Sequence, residues 1–232
     1  MNQAPAGSFQ IFRAFGIDVH LHWMWFLLVL ILMQMDLGFP TQAWNLVAVV
    51  VIFGIVLLHE YGHALACRSV GGRADHIMLW PLGGVAFVQP PPRPGAVLWS
   101  IVAGPLVNVV LVPVLLGVNI VMGVAGVADE LRLFGEWAFR FNLVILIFNM
   151  LPIYPLDGGQ IVQALLWFVV GRSKSLRIAA GFGLIVAIAG GAWALSVGQL
   201  WLVIIAVFVG YQAWIGLNQA RWLAQLERER GE

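Results

Sequence analysis

The stretch Ile178–Ala220 holds 43 consecutive residues without an Asp, Glu, Lys or Arg. As one helix rising about 1.5 Å per residue it would exceed ~60 Å, roughly twice the hydrocarbon thickness of a bilayer. It therefore has to turn back on itself as two membrane spans, and Ser196-Val197-Gly198-Gln199 is the expected break. The rest of the chain has the same character. Charged residues make up only 10% of 232 residues, against roughly 25% in soluble domains, and 61% are hydrophobic. A soluble fold of this composition could not cover its own surface, so the sequence predicts an all-α integral membrane protein.

Charge-poor runs divide the chain into six expected transmembrane helices: about 19–35, 43–66, 96–122, 133–170 broken at 152–157, 176–195 and 199–220. Residues 1–232 are read as one intramembrane domain. Placing both termini in the cytoplasm puts Arg13, Arg68, Arg73, Arg93, Arg172, Lys174, Arg177, Arg221, Arg228 and Arg230 on that side, 10 of the 12 basic residues. That asymmetry is what the positive-inside rule requires. Counting the broken fourth segment as two crossings would move Arg172, Lys174 and Arg177 outside, so six crossings are preferred. The net charge is +1 with no basic run, which gives no reason to expect a nucleic-acid partner. A single cysteine, Cys67, excludes an internal disulfide framework and a CxxC zinc site.

Between the second and third spans, Ile77-Met78-Leu79-Trp80 and Val85-Ala86-Phe87-Val88 flank Gly83-Gly84. Two short apolar runs about a glycine pair predict a short membrane-associated β-hairpin on the cytoplasmic side, an ordinary amphipathic loop being the alternative. Pro90-Pro91-Pro92 then stiffens the approach to the third span. Glu136 and Arg140, four apart with the acid first, form an expected structural ion pair. The tail Glu227-Arg228-Glu229-Arg230 reads as a solvated helix end.

The second span breaks the charge rule. His59-Glu60-Tyr61-Gly62-His63 is an HExxH motif. Residues four apart on a helix share a face, so both imidazoles can reach one metal, and the intervening Glu can activate water. Ionisable groups inside a span are expensive, and three within five residues compound the cost. His59 and His63 precede Arg68 by nine and five residues, about 7–14 Å from the cytoplasmic end of the helix. Catalytic zinc needs a third protein ligand and keeps a fourth position open. Asp157 is the candidate, because the fourth span runs in the same direction as the second and approaches the same face. A helix N-cap after the Pro155 turn is its other reading, and both can hold together. His20 and His22 read as interfacial histidines beside Trp23 and Trp25, and His76 as a loop histidine.

These motifs together resemble the site-2 protease family of intramembrane zinc metalloproteases. The resemblance rests on His59-Glu60-xx-His63 together with Asn149-Met150-Leu151-Pro152-Ile153-Tyr154-Pro155-Leu156-Asp157-Gly158-Gly159. Gly104-Pro105-Leu106-Val107-Asn108 resembles the family's third-span G-x-x-x-N motif, and Pro81-Leu82-Gly83-Gly84 its hairpin loop. Gly16-Ile17-Asp18-Val19-His20-Leu21-His22-Trp23 is similar to the opening of bacterial members. The resemblance implies one zinc per chain held by His59, His63 and Asp157, with Glu60 as general base and later proton donor. It implies that Asn149 positions the substrate or stabilises the oxyanion, packing being the alternative. Gly104 and Asn108 would be structural support. A strand beside Gly83 and Gly84 would pair with unwound substrate, which exposes a peptide bond that a helix shields. The implied activity is cleavage of transmembrane segments of membrane-anchored proteins, as in regulated intramembrane proteolysis. No appended nucleotide-sensing domain or PDZ domain is expected, and the oligomeric state is left open. An inactive zinc-binding scaffold would need a lost base, yet Glu60 is present. A metal transporter would need a polar path, against which the 43 uncharged residues argue.

Overall fold

The computed structural model describes residues 7–34, 39, 41–80 and 83–230. The chain runs β1 (Ser8–Ala14), β2 (Ile17–His22), α1 (Met24–Gln34), α2 (Gln42–Ser69), β3 (Arg73–Trp80), β4 (Gly83–Gln89), α3 (Pro94–Val124), α4 (Asp129–Asn149), α5 (Asp157–Val170), α6 (Arg172–Ser196) and α7 (Leu200–Arg230). The fold is mostly helical with one small sheet. Among the described residues four helices, α2, α3, α6 and α7, are long and apolar enough to cross a membrane, while α1 and α5 are shorter apolar helices. The expected turn within the long uncharged run falls at residues 197–199, between α6 and α7, and the expected break in the fourth segment separates α4 from α5.

Two compact units form. The first comprises the chain up to Pro91 with Val102–Ile147, and the second Pro92–Ile101 with Phe148 onward. In the first unit the four strands lie in the order β1-β2-β3-β4. β1 and β2 are an antiparallel hairpin, β2 pairs parallel with β3, and β3 and β4 form the expected hairpin. Pro81-Leu82 and residue 35, the expected end of the first span, lie outside the described residues.

The first hairpin departs from the sequence expectation, which started a span at residue 19. Phe15 and Gly16 both have positive φ, 52° and 72°. That is the geometry of a two-residue hairpin loop whose twist matches the strands it joins. Arg68, at the end of α2, donates from Nη1 to Phe15 O (2.7 Å) and from Nη2 to Gly16 O (3.0 Å), securing the turn. Ile17 and Val19 on one face of β2 pack with Ala64, Cys67, Ala74, Ile77 and Leu79, so the C-terminal half of α2 lies on the sheet. Asp18, His20 and His22 take the other face by the alternation of a strand.

In the second unit, α6 packs against both α5 and α7. Glu227 is not a solvated helix end. The Ser173 N–H donates to Glu227 Oε1 at 3.3 Å and the Ser173 hydroxyl to Oε2. The acid from α7 thus satisfies donors in the first turn of α6, whose own N-cap, Gly171, has no side chain to do so.

Candidate active site

The site is built mainly on α2. The 3.6-residue period stacks His59 and His63 on one face, and their Nε2 atoms stand 3.1 Å apart. Two nitrogens bound to one tetrahedral zinc at ~2.0–2.1 Å are separated by about 3.3 Å, so this pair fits zinc without rearrangement. His59, Glu60 and His63 are all buried. His59 Nδ1 lies 2.6 Å from Asn108 Oδ1 of α3. This bond leaves Nε2 turned toward His63, as a partner behind a histidine ligand would.

Asn108 is therefore more than a residue that ties two helices together. Its Nδ2 donates to Asn142 Oδ1 of α4 at 2.8 Å, and Asn142 Nδ2 returns a bond to Asn108 O at 3.0 Å. Both amides are 0% exposed. Sequence reasoning missed Asn142. The available signal was an amide in the charge-free half of α4, shared only with Asn149 at the helix end, where a polar group facing lipid would be costly.

Gly104 makes room for His63: a Cβ built there would collide with the imidazole. The close backbone approach of α2 and α3 comes instead from Gly62, whose added Cβ would meet Ala103 O and Val107 Cγ2, the latter at 2.9 Å. Glu60 is held from the sheet. Its Oε2 accepts the Ala86 N–H of β4 at 2.8 Å, and a Cβ on Gly84 would land on its carboxylate, 2.6 Å from Oε1. Gly84 thus keeps a strand backbone against the acid, as only glycine can at that distance. Gly83 opens β4 opposite Trp80. The first unit therefore brings together His59, Glu60, His63, Gly84, Gly104 and Asn108.

Asn149 and Asp157 belong to the second unit. Asn149 is half-buried at the end of α4, and Asp157 is buried at the first position of α5. The residues between them form a fitted bend. Cβ atoms on Gly158 and Gly159 would strike the backbone of Met150, Leu151, Ile153 and Tyr154. Gly183 of α6 admits the Tyr154 carbonyl, and Gly216 of α7 admits its ring. Gln160 Nε2 donates back to Pro155 O at 2.8 Å. The side chain of Asp157 is thereby carried on a rigid turn. Leu156, the N-cap, makes no side-chain cap bond, so Asp157 is the acid of the first turn rather than the cap itself.

His20 of β2 and His76, which lies in strand β3 rather than in a loop, face each other. Ring centroids of His20 and His76 are 5.4 Å apart, and His76 Nδ1 is 4.0 Å from Asp18 Oδ2. Burial, then His76, hold the His20 pKa below 6.5 against the pull of Asp18.

The sequence matches the profile of peptidase family M50 over residues 47–133 and 121–190. It is 30% identical over 224 residues to a zinc metalloprotease of Methanocaldococcus jannaschii, covering 95% of this chain and 62% of that protein. It is 29% identical over 174 residues to stage IV sporulation protein FB of Bacillus subtilis, covering 71% of this chain and 56% of that protein. The chain thus spans under two thirds of the length of these relatives. The fold is similar to a solved site-2 protease from Methanocaldococcus jannaschii, with a TM-score of 0.65 and 27% identity over 90% of this chain and 95% of that one. The first matched segment contains the paired histidines and Glu60, and the second contains Asp157 and its glycine turn. With the profile matched over more than half of its length, the chain belongs to peptidase family M50.

Proposed function

We propose that the protein is a zinc-dependent intramembrane endopeptidase that cleaves transmembrane segments of membrane-anchored proteins, as in regulated intramembrane proteolysis. The observation that carries this reading is the His59–His63 Nε2 pair at 3.1 Å with Glu60 on the intervening turn. His59, His63 and Asp157 are the three ligands. Two neutral imidazoles and one carboxylate are a donor set suited to catalytic zinc. Asp157 is suited to it by its burial and by the glycine-fitted turn that carries it.

Zinc in this position supplies a Lewis acid for the scissile carbonyl and lowers the pKa of water toward ~7. Glu60 takes a proton from the attacking water and delivers it to the departing amine nitrogen. The amide chain behind His59 holds that ligand in place. β4 is the last strand of the sheet, so its outer edge is a surface on which unwound substrate can add as a strand, beside Gly83 and Gly84. Asn149 is proposed to position the substrate or the oxyanion. Six crossings, with α4 and α5 as one broken span, would put both termini and 10 of the 12 basic residues on the cytoplasmic side. The partners are then a membrane-embedded protein substrate and the bilayer.

The test uses purified wild type and Glu60→Gln. Both should retain one zinc per chain, and only wild type should cut a model transmembrane substrate. Cleavage that survives Glu60→Gln refutes the mechanism, and unchanged zinc affinity in Asp157→Ala refutes the third ligand.

A further inference from the structure

The hydrogen-bond chain behind His59 has a direction that can be read from its far end. The main-chain carbonyl of Asn108 carries only lone pairs, so the Asn142 atom facing it at 3.0 Å must be the donor Nδ2. Asn142 Oδ1 is then the atom turned toward the Asn108 side chain, and it can only accept, so it faces Asn108 Nδ2 at 2.8 Å. Asn108 Oδ1 is consequently the atom 2.6 Å from His59 Nδ1. An amide oxygen cannot donate, so the proton of the neutral imidazole sits on Nδ1 and the lone pair on Nε2. Both amides are 0% exposed, so bulk solvent does not reach them.

We propose that Asn142 is a positioning residue that selects the His59 tautomer able to bind a metal, although it touches neither the imidazole nor the metal position. The proposal rests on the reading of His59 as a metal ligand. Without Asn142 the Asn108 side chain can turn over and present Nδ2 to His59 Nδ1. The histidine then moves its proton to Nε2, the atom that should ligate. A carboxylate behind the ligand would orient it too, but a charge is costly at this depth. Two neutral amides anchored to a backbone carbonyl achieve the same polarity without one.

The experiment uses the full chain in detergent with uniform nitrogen-15 histidine, in wild type, Asn142→Leu, Asn142→Asp and His59→Ala. Leu is close to Asn in shape and has no polar atom. A neutral Asp can donate to the Asn108 carbonyl and accept from its amide, so it should rescue. Zinc affinity, read by competition with a chromophoric chelator, should fall about 10–100-fold in Asn142→Leu, the usual effect of losing an outer partner of a metal ligand. Asn142→Asp should recover most of that loss. In the metal-free spectra the His59 proton should lie on Nδ1 in wild type and shift toward Nε2 in Asn142→Leu. A loss of affinity with the tautomer unchanged would reduce Asn142 to packing and overturn the proposal, as would an unaltered affinity. Should Asn142→Leu not fold, wild type still decides: a proton on Nε2 in the metal-free chain overturns the relay. A wild type that holds zinc no better than His59→Ala overturns the ligand assignment itself, and this proposal with it.

Discussion

Replacing Gly104 by alanine should damage zinc binding while sparing the metal-free fold. The added Cβ would lie 2.8 Å from His63 Cδ2 and closer still to Nε2. Carbon contacts are comfortable only at about 3.5–4.0 Å, so the ring must retreat by roughly 1 Å. Ligand distances tolerate about ±0.2 Å, so the retreating His63 leaves the zinc-binding geometry. In the metal-free chain the ring can yield by lengthening its 3.1 Å contact with His59 Nε2. In the zinc-bound chain a metal bond would hold it, and the overpacking strain of about 1–3 kcal/mol falls mainly on the bound state. At 1.4 kcal/mol per tenfold, that is a loss of zinc affinity of about 5–150-fold.

Gly62→Ala is the control. Its Cβ meets Ala103 O, a backbone atom that cannot rotate away. That variant should melt earlier with and without zinc. The assay is chelator competition for affinity and thermal melting in detergent for stability, each on metal-free and zinc-loaded protein. Wild-type zinc affinity in Gly104→Ala would refute the reasoning, as would an equal fall in melting temperature in both states.

The buried His20 should make the sheet sensitive to acid. Its folded pKa lies below 6.5, so the unfolded chain binds a proton first as pH falls through ~6.5, and stability should decline from there toward the folded pKa. His20→Gln should flatten that part of a melting-temperature profile; an unchanged slope would acquit His20. Glu227→Ala should cost about 0.5–2 kcal/mol by stripping the first turn of α6 of its acceptor, measured as a lower melting temperature. Gly216→Ala should push a Cβ to 2.7 Å from Tyr154 Cε1 and destabilise by about 1–3 kcal/mol, and pairing it with Tyr154→Leu should recover part of that loss.

Much of the site is legible in the sequence because it is written in local spacing. His59, Glu60 and His63 share one turn and a quarter of helix, and polar groups there contradict everything around them. The turn at residues 197–199 follows from length alone. The hairpin β3–β4 shows through its glycine pair. The first hairpin does not, because Ile17-Asp18-Val19-His20-Leu21-His22 runs directly into the apolar α1, and counting charges cannot tell a half-apolar strand from a helix start. Its turn is held by Arg68, some 50 residues away, so no local pattern announces it. Asn142 and Glu227 were hidden for the same reason: each acts on a residue far along the chain, 34 positions for Asn108 and 54 for Ser173. Gly104 was legible as a small residue at a helix contact but not as the space for an imidazole, since spacing does not say which side chain points into the gap.

The short turn after α2 sets a parity for the whole sheet. Gly71 takes a positive φ of 85°, Gly72 N donates to Cys67 O at 2.9 Å, and β3 begins at the next residue. Successive strand residues face opposite sides, so the number of residues between α2 and β3, not merely their flexibility, decides which face of the hairpin reaches Glu60. One residue inserted there would reverse β3, swap its core face for the opposite one and carry Gly84 away from the acid. Two inserted residues would restore the facing and cost only a longer loop. Natural length variation at this junction should therefore occur in even steps, a mark that could be sought in any set of related chains without solving another structure.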